Sequence, residues 1–300
     1  MQGAPAWYTR AIGTPMQEGS VAVGGVPIHY LEWGDRDRPG IVFVHGGSAH
    51  AHWWAHLAPQ FIERYHPIAI DMSGHGDSGR RTGYAFDLWA EEIMAVCAAT
   101  GIEDPPVLVG HSMGGLISIV TAALHGDRLN GAIIVDSPVT EPDPEREEAV
   151  RGRAFRNPKT YADLESAVGH FRLVPTQPPG PDYIMDYIAR HSLHEVAGGW
   201  TWKFDPNIFS RLKPAAIHEY LAGIQTRVAL FRGELSHLVT PDVSDYMHSL
   251  LGRNAPVVAI PEAYHHLIID QPLSFVSALR AILADWEHSI PRKLPAPAGE

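Results

Sequence analysis

Short apolar runs recur along the chain, and each ends in residues that are typical of turns. The first, VAVGGVPIHYLEW, alternates apolar and polar residues on both sides of Gly24 and Gly25, which predicts a β-hairpin. Later runs such as IVFVHGG, PVLVGHS, GAIIVDSP and RVALFRG are rich in Val and Ile without alternation, as in strands buried on both faces of a parallel sheet. The stretches between them, among them HWWAHLAPQFIERY, FDLWAEEIMAVCAATG and GGLISIVTAALHG, predict helices. Strands that alternate with helices predict an α/β sheet with helices on both faces.

The pattern changes between residues 138 and 212. This segment is rich in Pro, Arg and aromatic residues and has no convincing buried strand, so we predict a mainly helical insertion over 138–212. It divides a core formed by residues 1–137 and 213–290. The Pro-rich tail 291–300, PRKLPAPAGE, is expected to be disordered.

Charge and composition exclude some classes of binding partner and indicate the cellular compartment. The formal net charge is -11, with 34 acidic against 23 basic residues, which argues against nucleic acid or an anionic membrane as a partner. The single cysteine, Cys97, excludes an internal disulfide and fits a reducing compartment. Because the sequence has neither a leader pattern nor eighteen consecutive apolar residues, we expect a cytoplasmic protein without an anchor. We expect it to be a monomer or a homodimer.

The stretch PVLVGHSMGGLISIV carries the clearest chemical signal. It places G-x-S-x-G, Gly110 to Gly114, between a predicted strand and a predicted helix. A nucleophile elbow requires this context, because a strained turn presents the serine and needs small residues two positions either side. Ser112 is therefore a candidate nucleophile; the alternative is a glycine-rich turn that happens to contain serine.

With this motif the chain resembles the α/β-hydrolase family, over about residues 20–288. The resemblance implies a mostly parallel eight-stranded sheet flanked by helices, with a helical cap inserted after strand six. VFVHGGSAHAHWW is similar to the family's His-Gly loop, whose backbone supplies half of the oxyanion hole. By that resemblance the N–H of Gly47, with Ser48 as a substitute, would pair with the N–H of Met113.

Two further stretches match the family. DMSGHGDSG resembles a structural turn, so Asp71, His75 and Asp77 are poor catalytic candidates despite their polarity. AYHHLIIDQP resembles the family's histidine loop, in which an acid follows the histidine by five residues; Asp270 satisfies this register for His265.

His265 is therefore the predicted base, with His266 as the alternative. The stretch departs from the family at Tyr264, where glycine is usual.

The orienting acid is missing from its usual place. The family carries it three or four residues beyond a glycine after the seventh strand, and counting from Gly233 gives Ser236 and His237. Neither side chain can hold a negative charge. An orienting partner must stabilise imidazolium, so a carboxylate is required elsewhere.

Three carboxylates are candidates for this role. Asp136 ends the sixth strand. Neighbouring strands lie about 4.8 Å apart, so the histidine loop must cross roughly 10 to 15 Å of the sheet edge to reach Ser112. On that path it passes over the ends of strands six and seven, and either could supply the acid. Some family members use this position, so we predict Asp136, with Glu234 as the alternative acid. Asp242 is expected to cap the helix in TPDVSDYM.

The resemblance makes the insertion a cap that roofs the site and sets specificity. Its aromatic residues are Phe155, Phe171, Tyr183, Tyr187, Trp200, Trp202 and Phe204. With Ser48 and Trp54 from the His-Gly loop, Trp202 and the cation Arg172 are the predicted substrate contacts. Lys203, the second cap cation, is expected to pair with Asp205 or another acid, with a substrate carboxylate as the alternative partner.

Four histidines in the His-Gly loop invite comparison with a metal site: His45, His50, His52 and His56. They lack accompanying carboxylate or cysteine ligands. We therefore predict neither a metal nor another cofactor.

Together these features predict a serine esterase that cleaves a small-molecule carboxylic ester through an acyl-enzyme, with an aromatic ester or a diacid monoester as attractive substrates. A carbon-carbon bond hydrolase, a lactonase or a perhydrolase would use the same Ser-His machinery. From a different class, a ligand-binding relative with little turnover is the remaining alternative.

Overall fold

The computed structural model describes residues 3–142 and 159–288. Its main element is an eight-stranded sheet in the order β1-β2-β4-β3-β5-β6-β9-β10. The strands are β1 (Met16–Val23), β2 (Val26–Trp33), β3 (Gly40–Val44), β4 (His66–Ile70), β5 (Val107–His111), β6 (Gly131–Val135), β9 (Val228–Gly233) and β10 (Val257–Ile260). Within this sheet β1–β2 and β2–β4 pair antiparallel and the other five neighbouring pairs are parallel, so the predicted mostly parallel sheet is confirmed.

Helices cover both faces of this sheet. They are α1 (Ala6–Ile12), α2 (Phe86–Ala99), α3 (Met113–His125), α7 (Ile217–Gly223), α8 (Pro241–Leu250), α9 (Leu267–Asp270) and α10 (Pro272–His288). Two hydrophobic clusters form the core: one gathers Phe43, Trp54 and Phe275, the other Val42, Trp89 and neighbouring side chains. The completely buried β3, β5 and β6 lie between these layers, which explains their lack of alternation.

Of two local predictions, the structure confirms the β-hairpin and contradicts one helix. The hairpin between β1 and β2 is confirmed, and Gly24 (φ 56°) and Gly25 (φ 77°) both adopt the left-handed backbone that its turn requires. The helix predicted over HWWAHLAPQFIERY is wrong. Two 3₁₀ turns, Ala51–Trp54 and Ala58–Phe61, stand there instead, since Pro59 has no N–H to continue an α-helix.

The segment between β6 and β9 contributes α4 (Leu164–Val168), α5 (Asp182–His191), α6 (Ile208–Arg211) and an antiparallel pair, β7 (Leu193–Val196) with β8 (Gly199–Trp202). We refer to this segment as the cap. Its described part holds no strand that is buried along its length, in line with the sequence prediction, but it does add two short strands to the helices. These strands are only four residues long and half-exposed, so they lack the apolar run that marks a buried strand. Phe155 and the tail 291–300 lie outside the described residues.

Backbone hydrogen bonds join the cap to the core at the turn DMSGHGDSG. The N–H of Gly76 donates to the carbonyl of Lys203 (2.8 Å), and the N–H of Asp205 donates to that of Gly74 (2.7 Å). Asp71 accepts from the N–H groups of Ala51 and Asp77, so its carboxylate joins this turn to the His-Gly loop. Within residues 3–142 and 159–288, helix length and apolarity never reach what a membrane crossing would require.

Candidate active site

Ser112 occupies the strained turn between β5 and α3, with φ 55° and ψ -122°. A Cβ on Gly110 would lie 2.3 Å from the carbonyl oxygen of Gly114, and one on Gly114 would lie 2.3 Å from that of Val44. Larger residues at either position would push the helix away from the strand. The sequence therefore produces the strand-turn-helix geometry of a nucleophile elbow.

A line of hydrogen bonds runs from this serine to a buried carboxylate. The Ser112 Oγ lies 3.1 Å from Nε2 of His265, whose Nδ1 lies 2.7 Å from Oδ2 of Asp136. The three residues come from the ends of β5 and β6 and from the loop between β10 and α9. Because Asp136 is fully buried and His265 is 3% exposed, little water screens their interaction.

Two further donors hold the Asp136 carboxylate. The N–H of Gly233 donates to Oδ1 (2.9 Å), and the hydroxyl of Ser236 donates to Oδ2 (2.6 Å). Asp136 itself adopts φ 47°, a left-handed backbone that costs a non-glycine residue energy and persists because surrounding contacts enforce it. Ser236, at the position where the family usually has its acid, is thus a hydrogen-bond partner of Asp136.

The alternative acids lie elsewhere. Glu234 is exposed, and its Oε2 accepts from the N–H of Glu262 (2.9 Å). Asp242 lies in the first turn of α8, where the predicted cap is wrong: the side chain of Thr240 accepts from the N–H of Val243.

The alternative base, His266, makes no hydrogen bond to Ser112, which bonds to His265 instead. Burial, with a contribution from neighbouring His265, lowers the pKa of His266 to about 3. Asp270 accepts from the N–H of Tyr264 (2.9 Å) and from the cap residue Gln177 (2.7 Å). The acid in the family's register therefore fixes the histidine loop.

Gly47 and Met113 lie side by side next to Ser112. A Cβ on Gly47 would lie 3.7 Å from Sδ and 3.9 Å from Cβ of Met113. Met113 is the first residue of α3, and unpaired N–H groups at a helix N-terminus favour negative charge. This placement suits a pair of backbone donors to a developing oxyanion.

A cavity of about 240 Å³ opens over Ser112, between the core and the cap. Ser48, Arg172 and Trp202, three of the predicted substrate contacts, line it. The fourth, Trp54, does not: it is fully buried, with its ring centroid 4.9 Å from that of Phe43.

Trp53 takes the place predicted for Trp54 in the cavity wall. Its ring centroid lies 6.3 Å from that of Phe171 in the cap. Adjacent residues of a 3₁₀ turn face different ways, and a sequence of two tryptophans carries no signal of which one faces the core.

The two cap cations differ in their contacts. The Nζ of Lys203 lies 2.7 Å from Oδ2 of Asp77, so it pairs with the turn of the core and not with Asp205. Arg172 donates to the carbonyls of Gly169 and Phe171 and has no carboxylate within 4.0 Å among the described residues. No aspartate or glutamate of residues 3–142 and 159–288 lines the cavity, which leaves Arg172 available to an anion.

The four histidines of the His-Gly loop have separate partners. Nδ1 of His45 lies 2.7 Å from the carbonyl of Gly46, and Nε2 of His56 lies 2.9 Å from that of Ile268. His50 and His52 bond instead to cap side chains, the hydroxyls of Ser192 and Tyr187. Burial lowers the pKa of His52 to about 3 and that of His56 to about 4. They form core and cap contacts and do not surround a common point.

Comparison with known proteins agrees with the fold described above. The sequence model of the alpha/beta hydrolase fold family matches residues 39–172, which include the His-Gly loop and the elbow. Together with the sheet order and the structural likeness reported below, this match shows that the chain has the α/β-hydrolase fold.

Its relatives are hydrolases. An esterase from Mycobacterium tuberculosis is 27% identical over 273 residues, covering 85% of this chain and 86% of the esterase. The 2-(acetamidomethylene)succinate hydrolase of Mesorhizobium japonicum is 25% identical over 264 residues, covering 82% and 88%. The crystal structure of an E-2-(acetamidomethylene)succinate hydrolase superposes with a TM-score of 0.79 at 22% identity, covering 90% of this chain and 100% of that one.

Proposed function

We propose that the protein is a serine hydrolase that cleaves a small or medium carboxylic ester through an acyl-enzyme. Ser112 is the nucleophile, His265 the general base and Asp136 the orienting acid. The observation that carries this proposal is the unbroken hydrogen-bond line from Ser112 Oγ through His265 to Asp136. Each contact lies within the reach that proton transfer requires.

In the first step the Oγ of Ser112 attacks the ester carbonyl while Nε2 of His265 takes the hydroxyl proton. The carboxylate of Asp136 keeps the proton on Nδ1, so that Nε2 presents its lone pair, and it stabilises the imidazolium that forms. The donors from Gly233 and Ser236 hold that carboxylate in place as the charge develops.

The carbonyl oxygen becomes an anion in this step. The N–H groups of Gly47 and Met113 supply its two donors, and losing one such donor typically costs about 2.7 to 4 kcal/mol in activation free energy. The tetrahedral intermediate then collapses, its C–O bond breaks, and the leaving alcohol takes the proton from His265.

Deacylation repeats this chemistry with water as the nucleophile. His265 takes a proton from water, the hydroxide attacks the acyl carbonyl, and the carboxylic acid leaves as Ser112 recovers its proton. Net consumption is one ester and one water, and the products are one acid and one alcohol.

The lining of the cavity supports a diacid monoester as the substrate. Arg172 places a cationic guanidinium in a wall that contains no described carboxylate, beside the aromatic side chains Trp53 and Trp202. A substrate carboxylate would accept from the guanidinium while the acyl chain packs on the rings. The succinate in the name of the relative from M. japonicum is a dicarboxylate, which supports the same class.

The reaction is tested with a fluorophosphonate probe and short-chain p-nitrophenyl esters. We expect stoichiometric labelling of the wild type and none of Ser112→Ala, which should also lose turnover. Ser249→Ala, at an exposed serine of α8, is the matched control and should behave as the wild type. A wild type that neither labels nor hydrolyses any ester would leave a ligand-binding relative as the better description.

A further inference from the structure

Three histidines from separate parts of the sequence meet beside the candidate nucleophile. The residues are His111, His265 and His266. Each contributes one ring nitrogen to a group of three nitrogens that all lie within 4.8 Å of one another. Their ring centroids are 4.8 Å apart for His111–His265, 4.8 Å for His265–His266 and 5.5 Å for His111–His266. None is more than 4% exposed, yet His111 and His266 line the cavity.

We propose that this histidine cluster binds one divalent transition-metal ion, such as Zn²⁺, and that the ion reversibly inhibits the enzyme. Imidazole is a preferred ligand of zinc, copper and nickel, and three histidines are a common protein ligand set for zinc. Zn–N bonds of about 2.0 to 2.1 Å place the nitrogens of a tetrahedral site roughly 3.3 Å apart, so nitrogens that now lie within 4.8 Å of one another must draw together around the ion.

The hydrogen bonds of two of these rings favour metal binding. Nδ1 of His265 faces Asp136 at 2.7 Å, and Nε2 of His111 faces the carbonyl of His265 at 2.9 Å. Each of these contacts takes a ring N–H and leaves the lone pair on the other nitrogen. A carboxylate or a backbone carbonyl behind the ring is the usual outer partner of a metal-binding histidine.

The remaining nitrogens leave lone pairs for a metal ion. Nδ1 of His111 is buried without a hydrogen bond to another described residue. The buried ring of His266 lies by the backbone carbonyls of Val174 and Pro175, which can hold one ring N–H and leave the other nitrogen free. The second grouping of potential ligands, around Asp71, differs: Asp71 accepts from His29, Ala51 and Asp77, and the Asp77 carboxylate pairs with Lys203. Only the histidine cluster therefore combines proximity with free ligand atoms in the part of the chain that the structure describes.

The ion would inhibit the enzyme because one of its proposed ligands, His265, is also the proposed catalytic base. Nε2 of His265 is the atom that accepts the proton of Ser112, 3.1 Å away, and a bound ion would occupy the same lone pair. The metal forms only coordination bonds, so removing it should restore activity. The binding claim is independent of catalysis, whereas the inhibitory consequence rests on the proposed function.

The test is a Zn²⁺ titration of the full chain, with binding measured by calorimetry and activity by ester hydrolysis. We expect one ion per chain, parallel loss of hydrolysis and of fluorophosphonate labelling at Ser112, and recovery with EDTA. Binding at several sites of similar affinity, absence of binding, or full occupancy without inhibition would each overturn the inference. An enzyme that hydrolyses esters but ignores Zn²⁺ refutes this inference alone, while a protein that binds Zn²⁺ but never hydrolyses refutes the proposed function.

Variants identify the ligands. His266→Gln should weaken Zn²⁺ binding and raise the inhibitory Zn²⁺ concentration at least about tenfold, relative to its own metal-free activity. His237→Gln, at an exposed histidine of the neighbouring loop, should change neither quantity. If His266→Gln does not fold, Ser112→Ala serves instead: it keeps all three imidazoles and should bind one Zn²⁺ as tightly as the wild type. Equal Zn²⁺ affinity in folded His266→Gln and the wild type would contradict the assignment.

Discussion

The hydroxyl of Ser236 donates a hydrogen bond of 2.6 Å to the carboxylate of Asp136. Ser236 stands where the family usually has its acid. In this chain the carboxylate lies instead on Asp136, at the end of the neighbouring strand, and Ser236 supplies a hydrogen-bond donor to it. The hydroxyl also accepts from the N–H groups of Leu238 and Val239, at 3.2 Å each. The loop after β9 is therefore organised around its contact with Asp136.

Replacement of the acid should separate the two candidate carboxylates. We expect Asp136→Asn to lower kcat at least about a hundredfold, because an amide misorients the imidazole and cannot stabilise its charge. Glu234→Gln, at an exposed residue bonded to the N–H of Glu262, should stay within about threefold of the wild type. Equal, mild effects on kcat from both substitutions would remove the support for Asp136.

The contact between Ser236 and Asp136 allows the acid to be moved. The hydroxyl of Ser236 lies within hydrogen-bond distance of the Asp136 oxygen that contacts His265. The carboxylate of an aspartate at position 236 would therefore lie within reach of His265. We expect the double variant Asp136→Asn/Ser236→Asp to recover at least about tenfold in kcat over Asp136→Asn alone. Ser236→Asp by itself should lose both stability and activity, since it places two carboxylates side by side in a buried site.

No recovery in a folded double variant would show that the loop after β9 cannot present an acid to His265. Thermal unfolding of each variant distinguishes that outcome from a protein that has simply lost its structure.

The two neighbouring tryptophans should respond differently to truncation. Trp54→Ala should lower the free energy of unfolding by about 3 to 5 kcal/mol, because it leaves a cavity between Phe43 and Phe275. The folded fraction should keep its KM. Trp53→Ala should raise KM severalfold for aromatic esters, since Trp53 lines the cavity. Denaturant unfolding and steady-state kinetics on the same preparations check both expectations; identical KM changes would contradict the assignment of separate roles.

Removing the charge of Arg172 should affect acidic esters selectively. We expect Arg172→Gln to raise KM about tenfold for a p-nitrophenyl monoester of succinate or glutarate, because a hydrogen bond to a charged group contributes about 1.5 kcal/mol. KM for p-nitrophenyl butyrate should change little. Arg190→Gln is the matched control, since Arg190 lies in the cap but pairs with Glu165 and Asp186. The same KM increase for both kinds of ester would argue against a substrate carboxylate.

Acid should destabilise the fold through its buried histidines. Burial lowers the pKa of His56 to about 4, whereas the unfolded chain has a histidine pKa of about 6.5. Between these values the unfolded state binds the proton and the folded state does not, so stability falls as the pH falls. We expect His56→Gln to reduce the slope of unfolding free energy against pH by about 1.4 kcal/mol per pH unit in this window. Denaturant unfolding at several pH values measures the slope, and an unchanged slope would be contrary evidence.

Local sequence patterns determined much of the architecture. Uninterrupted Val and Ile runs mark the buried parallel strands, and paired glycines mark the hairpin, because burial on both faces and left-handed turns impose composition directly. The elbow belongs to the same group, since Gly110 and Gly114 leave no room for a side chain. The short strands β7 and β8 escaped this reasoning, as a half-exposed surface ribbon needs no apolar run.

Tertiary structure alone decided which polar groups meet. That Ser236 supports the carboxylate of Asp136, that Trp53 and not Trp54 faces the cavity, and that Lys203 pairs with Asp77 depend on loop paths between distant strand ends. The gathering of His111, His265 and His266 is of the same kind. Sequence periodicity reports how each segment buries its own apolar face, whereas hydrogen bonds require positions fixed to a few tenths of an ångström across the whole fold.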